Sequence, residues 1–181
     1  ITGRNSPAVE LRATSAHMAY CYQGHLGKIP IIEEILVDSK LAPEEIAYAN
    51  WGLVPFGTLL PRLPFPLQVD YIHATRYGNH LHGADLRWMA GPYVTPQGRT
   101  ILLVDDILDE GATLAAIEDY YLKHGAREVF KAVMVKKERP RTLSIDAEFI
   151  GLMVPDRYVF GYGMDYKGYL RNAPGIYAVA E

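Results

Sequence analysis

The chain has 181 residues, 49% of them hydrophobic and 22% charged, with a formal net charge of -3. That balance excludes a disordered or fibrous chain and supplies none of the positive excess that bulk nucleic-acid binding needs. Its single cysteine, Cys21, excludes an internal disulfide framework and accords with a reducing cytosol. As a lone thiol it reads as a small buried apolar side chain.

No apolar run reaches the roughly 18 residues of a membrane helix. The first residues lack the charged-then-apolar order of a signal peptide. Length and composition predict one soluble, cytoplasmic domain over 1–181, acting on neither nucleic acid nor membrane.

In chain order, Ala8–Tyr22 is expected to be helical, and Ile31–Val37 fits either a short helix or a strand. Leu41–Tyr48 is a poor strand sequence. After Pro61, Pro64 and Pro66, Leu67–Ala74 alternates apolar and polar residues like a half-buried strand. Arg76–Gln97, rich in glycine, asparagine and histidine, predicts a long loop plus a short strand, and loops of that length are usually functional lids or else disordered. His80 and His82 within it lack the rest of a zinc set and read as solvated.

Thr100–Val104 is a short apolar run of the kind found in buried parallel strands. A helix follows over Thr113–His124, with Leu114, Ile117, Tyr121 and Leu122 on one face and Gly125 as its stop. Glu128–Val135 reads as the next strand, and Phe149–Leu152 and Tyr158–Phe160 as further short ones. Strand, helix, strand at this spacing is a right-handed crossover, which predicts an open α/β sheet with parallel strands. Sites in such sheets lie at the carboxyl ends of the strands.

One stretch stands out there. Asp105, Asp106, Asp109 and Glu110 place four carboxylates within six residues, directly after the buried strand. Like charges packed at a strand end cost free energy unless something cationic or hydroxyl-rich binds them, and hard oxygens suit Mg²⁺ or a sugar. Gly111-Ala112-Thr113 then opens a helix, where free N–H groups and the dipole favour phosphate. The competing reading is a solvated acidic turn capping a helix.

Val104–Leu114 resembles the phosphoribosyl-pyrophosphate-binding signature of type I phosphoribosyltransferases. The resemblance implies an α/β fold with a mostly parallel twisted sheet flanked by helices. A small hood would come from the C-terminal segment and part of the N-terminus. It implies that Asp105 and Asp106 bind the ribose hydroxyls, directly or through Mg²⁺, and that Asp109 is the catalytic acid or base at purine N7. Asp109, Glu110, Gly111, Ala112 and Thr113 would cradle the 5-phosphate.

The likeness to the hypoxanthine-guanine branch runs on from Gly52 to Val179. Val133-Met-Val-Lys-Lys137 resembles the segment reading the purine 6-oxo group, with Lys136 at the matching position. A lysine donates and cannot accept, so it favours a 6-oxygen over a 6-amino group. Lys137, Arg139 and Arg141 read as an ordinary basic loop.

Val154–Tyr166 resembles the branch's purine-binding segment. The resemblance makes Tyr158 the stacking ring and Val159 the residue whose backbone reads the base edge. Asp165 becomes an acid near a second Mg²⁺, and Arg171 a pyrophosphate-binding arginine. Tyr77 matches the tyrosine of the family's mobile loop, with Arg76 in its serine position.

Ala49-Asn-Trp-Gly52 matches the turn that binds pyrophosphate, with Gly52 retained but Trp51 where a glycine is expected. Pro55 suits the first turn of the next helix. The implied activity is transfer of phosphoribose from phosphoribosyl pyrophosphate to a 6-oxopurine, with Mg²⁺, in a homodimer or homotetramer. Xanthine fits the same lysine. The alternatives are a regulator built on this fold and, because of Trp51, a catalytically impaired member.

Overall fold

A computed structural model of the chain describes residues 18–21, 45–49, 52–76 and 86–180. In order these form β1 (Met18–Cys21), β2 (Glu45–Ala49), α1 (Leu53–Leu59) with a 3-10 turn at Leu60–Arg62, β3 (Gln68–Arg76), β4 (Leu86–Ala90), β5 (Thr100–Leu108), α2 (Ala112–Lys123), β6 (Glu128–Glu138), β7 (Phe149–Pro155), β8 (Val159–Phe160) and β9 (Tyr177–Val179). Six strands make one sheet in the order β4-β3-β2-β5-β6-β7, and three make a second in the order β1-β9-β8. The large sheet is parallel from β3 through β7, with β4 added antiparallel at its edge. The small sheet is antiparallel throughout.

The apolar run of β5 explains its place inside the sheet. Ile101, Leu102, Leu103 and Val104 are all buried, so both faces of the strand are covered. The pleat sends Ile101 and Leu103 to the side where Leu114, Ile117 and Tyr121 of α2 pack. Leu102 and Val104 point to the other side and meet Phe56 and Leu59 of α1. Each fully buried side chain of this size contributes about 1.5–3 kcal/mol. Leu122, assigned by its sequence to the packed face of α2, is instead 49% exposed. It follows Tyr121 by one residue, about 100° around the helix, which carries it off the buried stripe.

α2 starts and stops on glycines in the left-handed region. Gly111 (φ 80) is its N-cap and Gly125 (φ 88) follows its end. There the Gly125 and Ala126 N–H groups donate to the carbonyls of Leu122 and Tyr121. Beyond Val104, β5 continues four residues through the acid pair because its ladder with β6 continues, pairing Asp105 with Val133 and Leu108 with Lys136.

Two strands also differ from the sequence expectation. Met18–Cys21 is a strand rather than the end of a helix, since it pairs with β9 across most of the chain. Glu45–Ala49, poor as a strand by sequence, lies in the middle of the sheet, with β3 and β5 pairing on either side; such context overrides propensity. The remainder of the Ala8–Tyr22 segment, Ile31–Val37, His80 and His82 lie outside the described residues.

The small sheet sits over one end of the large one. Val159 of β8, Met164, Ile176 and Ala178 pack against Val135, Leu152 and Val154 from the carboxyl ends of β6 and β7. This packing creates the wall of a cleft. Among the described residues no helix is long and apolar enough to cross a membrane.

Candidate active site

A cleft of about 260 Å³ opens where β5 and β6 end beneath the small sheet. Its floor is Asp106, Ile107, Asp109 and Lys137, and its wall is Tyr158, Val159, Met164, Asp165 and Arg171. Strand ends supply the first set and the hood the second, the placement expected of an open α/β sheet.

Asp105 and Asp106 are both buried, and the Asp106 N–H donates to Asp105 Oδ1 at 3.0 Å. Burial and the neighbouring Asp106 charge hold Asp105 well above the usual carboxylate range. Burial pushes Asp106 from an ordinary 3.8 up to about 6, against opposing contributions that include the charge of Arg171. Asp106 lines the cleft and Asp105 does not.

Asp109 lies on the turn beyond. Its Oδ2 accepts from Lys137 Nζ at 2.6 Å and its Oδ1 from Arg139 Nη1 at 2.8 Å. Burial raises its pKa, but the hydrogen bonds and charges of these two cations outweigh that and leave it lowered. Arg141 fastens the turn's backbone, donating from Nε to the Asp109 carbonyl at 2.7 Å and from Nη2 to the Leu108 carbonyl at 3.1 Å.

Gly111 allows the sharp entry into α2, because a Cβ there would collide with the Ile145 side chain. No side chain caps this 12-residue helix, and its first turn holds no acid. Its first N–H groups, near Ala112 and Thr113, thus receive no side-chain cap, the condition under which a helix start can accept an anion. Glu110 on the same loop is exposed.

The lysine facing the cleft is Lys137, not Lys136. In β6, Val133, Val135 and Lys137 form the buried alternate row, and Val135 shares a cluster with Val159 and Met164 of the cleft wall. Lys136 points to the other face and bonds both carboxylate oxygens of Asp146, at 2.6 and 2.7 Å. A register error of one residue exchanges the faces of a strand. Of the basic run expected to be an ordinary loop, Lys137 lines the cleft, Arg139 pairs with Asp109 beside it, and Arg141 holds the backbone of the same turn. The signal for this lay in their spacing: residues 137, 139 and 141 recur every second position, as on one face of an extended segment.

On the hood, Arg171 donates from Nη2 to Asp165 Oδ1 and from Nη1 to the Gly163 carbonyl, each at 2.7 Å. Asp165 Oδ2 also accepts the Gly168 N–H at 2.7 Å. Tyr158 is 50% exposed and meets Tyr166 edge-on at 5.6 Å. Gly52 is buried as the N-cap of α1 and is not among the cleft-lining residues. Tyr77 and Trp51 lie outside the described residues.

Among the described residues no three His, Cys, Asp or Glu side chains gather closely enough to hold a metal by themselves. Asp106 and Asp165 nevertheless line one cleft, with Asp105 buried next in sequence. That donor set fits Mg²⁺, which keeps several waters and is commonly held by one or two carboxylates together with ligand oxygens.

A family model for the phosphoribosyl transferase domain matches residues 46–167. The hypoxanthine-guanine phosphoribosyltransferase of Bacillus subtilis is 31% identical over 127 residues, covering 69% of this chain and 71% of that protein. The bifunctional protein TilS/HprT of Listeria innocua is 32% identical over 127 residues, and the match spans only 20% of its length. A Staphylococcus aureus hypoxanthine phosphoribosyltransferase structure shares the fold with a TM-score of 0.81 at 19% identity, covering 93% of this chain and 95% of that one. A Trypanosoma cruzi hypoxanthine phosphoribosyltransferase in complex with the product IMP gives 0.77 at 19% identity, covering 84% and 88%.

The chain therefore belongs to the phosphoribosyl transferase family. Its curated relatives place it on the hypoxanthine-guanine branch.

Proposed function

We propose that the protein transfers the 5-phosphoribosyl group of phosphoribosyl pyrophosphate to hypoxanthine or guanine, giving IMP or GMP and pyrophosphate. The observation that carries this reading is the cleft itself, where Asp106, Asp109 and Lys137 face Tyr158, Asp165 and Arg171 across one opening. By kinship with the family, the protein works in the cytosol as a homodimer or homotetramer.

Displacement at C1 of the ribose needs no covalent nucleophile, because that carbon is electron-poor once pyrophosphate begins to leave. Asp105 and Asp106 are assigned to the ribose hydroxyls, whose donors satisfy acids that burial otherwise strains. The uncapped start of α2, with Glu110, Gly111, Ala112 and Thr113, is assigned to the 5-phosphate. Asp106 and Asp165, beside Asp105, would hold Mg²⁺, whose charge would neutralise the departing pyrophosphate. Arg171 presents a forked donor to the same group, and Gly52 and Tyr77 stay assigned to that end of the substrate by resemblance.

The purine lies against Tyr158, with its edge read by the Val159 backbone and its 6-oxygen by the Lys137 ammonium. Lysine only donates, so a 6-amino group finds no partner there, which disfavours adenine. A 6-oxopurine that takes over Lys137 frees Asp109 from one of its two cations. The basicity of Asp109 then rises as the base docks, suiting a group that exchanges a proton at N7.

Trp51 favours a second reading, a member that binds nucleotide but turns over poorly, because tryptophan does not adopt glycine-only backbone angles cheaply. Incubating the protein with phosphoribosyl pyrophosphate, Mg²⁺ and hypoxanthine, guanine, xanthine or adenine separates the two. Nucleotide formed from 6-oxopurines and not from adenine supports the transferase. GMP binding without turnover on any base supports the impaired member.

A further inference from the structure

Tyr162 stands at φ 52, between Gly161 at φ 89 and Gly163 at φ 108. A bulky side chain holds a left-handed backbone only where its surroundings enforce it. Part of the enforcement is local, since the Tyr162 N–H donates to the Ala173 carbonyl and the Gly163 N–H to the Arg171 carbonyl, both at 2.9 Å. The rest comes from far away in sequence. The Tyr162 hydroxyl lies 3.0 Å from Thr58 Oγ1, on α1.

The direction of that bond follows from its neighbour. Thr58 Oγ1 donates to the Val54 carbonyl at 3.0 Å. A hydroxyl has one proton and a carbonyl can only accept, so Thr58's proton is committed to Val54. Tyr162 is therefore the donor and Thr58 the acceptor, giving a directed chain from the hood to α1. The helix is itself fixed, because Phe56 and Leu59 pack on Leu102 and Val104 of β5, the strand carrying Asp105 and Asp106. At the other end, the carbonyl of Gly163, next after Tyr162, accepts Arg171 Nη1 at 2.7 Å.

We propose that the Tyr162–Thr58 hydrogen bond is a positioning device that holds the hood turn against α1, so that Arg171 meets the pyrophosphate end of the substrate at a set distance from Asp106. This inference rests on the reading of Arg171 as a pyrophosphate-binding residue. Neither Tyr162 nor Thr58 lines the cleft, so both act through Arg171. Their loss is felt at the diphosphate substrate and not at the purine.

Steady-state kinetics with Mg²⁺ and calorimetric titration with magnesium pyrophosphate and with GMP test it on Tyr162→Phe, Thr58→Val and Thr58→Ser. Both the phenylalanine and the valine variants are expected to raise KM for phosphoribosyl pyrophosphate about five- to tenfold, the worth of one such hydrogen bond. KM for guanine stays put, Thr58→Ser restores the wild-type value, and the double variant is no worse than either single one.

A parallel rise in both KM values, or no rise in either, overturns the proposal. If the wild type does not turn over, the transferase reading fails, and the calorimetric arm still decides the positioning role. Weakened pyrophosphate with intact GMP binding upholds it; equal pyrophosphate affinity in wild type and variants, or no pyrophosphate binding at all, overturns it.

Discussion

Lys137 Nζ lies 2.6 Å from Asp109 Oδ2, joining the end of β6 to the turn that follows β5. The same ammonium is 3.9 Å from Asp156, on the turn leading to Tyr158. Its side chain is only 10% exposed, so the charge is held between two carboxylates with little water around it. A ligand that offers a carbonyl oxygen at this point exchanges one acceptor for another and leaves no buried cation unpaired.

Removing this ammonium should be costly and selective. Lys137→Met is expected to lower kcat/KM for hypoxanthine and guanine by about 10- to 100-fold, the range for one charged hydrogen bond. Lys136→Met, which breaks only a pair with the 65% exposed Asp146, should change it less than about threefold. Steady-state kinetics on the two variants side by side check the assignment, and the reverse ranking would restore Lys136 to the site.

The buried acid pair predicts stability given up for function. Asp106 has its pKa raised to about 6 in the folded chain, against 3.8 ordinarily. Between those values the native state holds a proton that the unfolded chain has released. Its contribution to stability therefore declines as pH rises from about 4 to 6, and remains unfavourable above that. Asp106→Asn should stabilise the protein by on the order of 2 kcal/mol at pH 7.5 while abolishing turnover. In urea unfolding at both pH values, that advantage over the wild type should shrink towards pH 4.5. An advantage that is the same at both would mean that Asp106 is ionised throughout.

Gly111 is needed for shape. Gly111→Ala forces a side chain into φ 80 and against Ile145. A loss of about 1–3 kcal/mol in stability is expected, along with weaker binding of phosphoribosyl pyrophosphate, because the turn and the start of α2 shift together. Gly98→Ala, also at positive φ but in open space, serves as the control. It should cost stability without affecting binding.

The part of the fold that reads most directly from sequence is β5–α2–β6. There a strand covered on both faces, a glycine at each end of a helix and a second apolar run are all local signals. The acid loop is legible for the same reason, its spacing being complete within one turn. β1 and β2 are not legible, because they are strands only by virtue of partners distant in sequence. Lys136 and Lys137 show the finer limit. Which of two adjacent lysines faces the cleft depends on the register of β6 against β5 and β7, which a lysine pair does not disclose. Arg139 and Arg141 are not legible either, because charge near a strand end is usually solvated and only the Asp109 turn opposite engages theirs.

The most direct measurement is the initial rate of GMP formation from guanine and phosphoribosyl pyrophosphate with Mg²⁺, for the wild type beside Asp109→Ala. Stoichiometric GMP and pyrophosphate are expected from the wild type, with a loss of at least about 100-fold in the variant. Equal rates in the two would remove Asp109 from the chemistry, and no GMP from a folded wild type would contradict the assignment of a transferase.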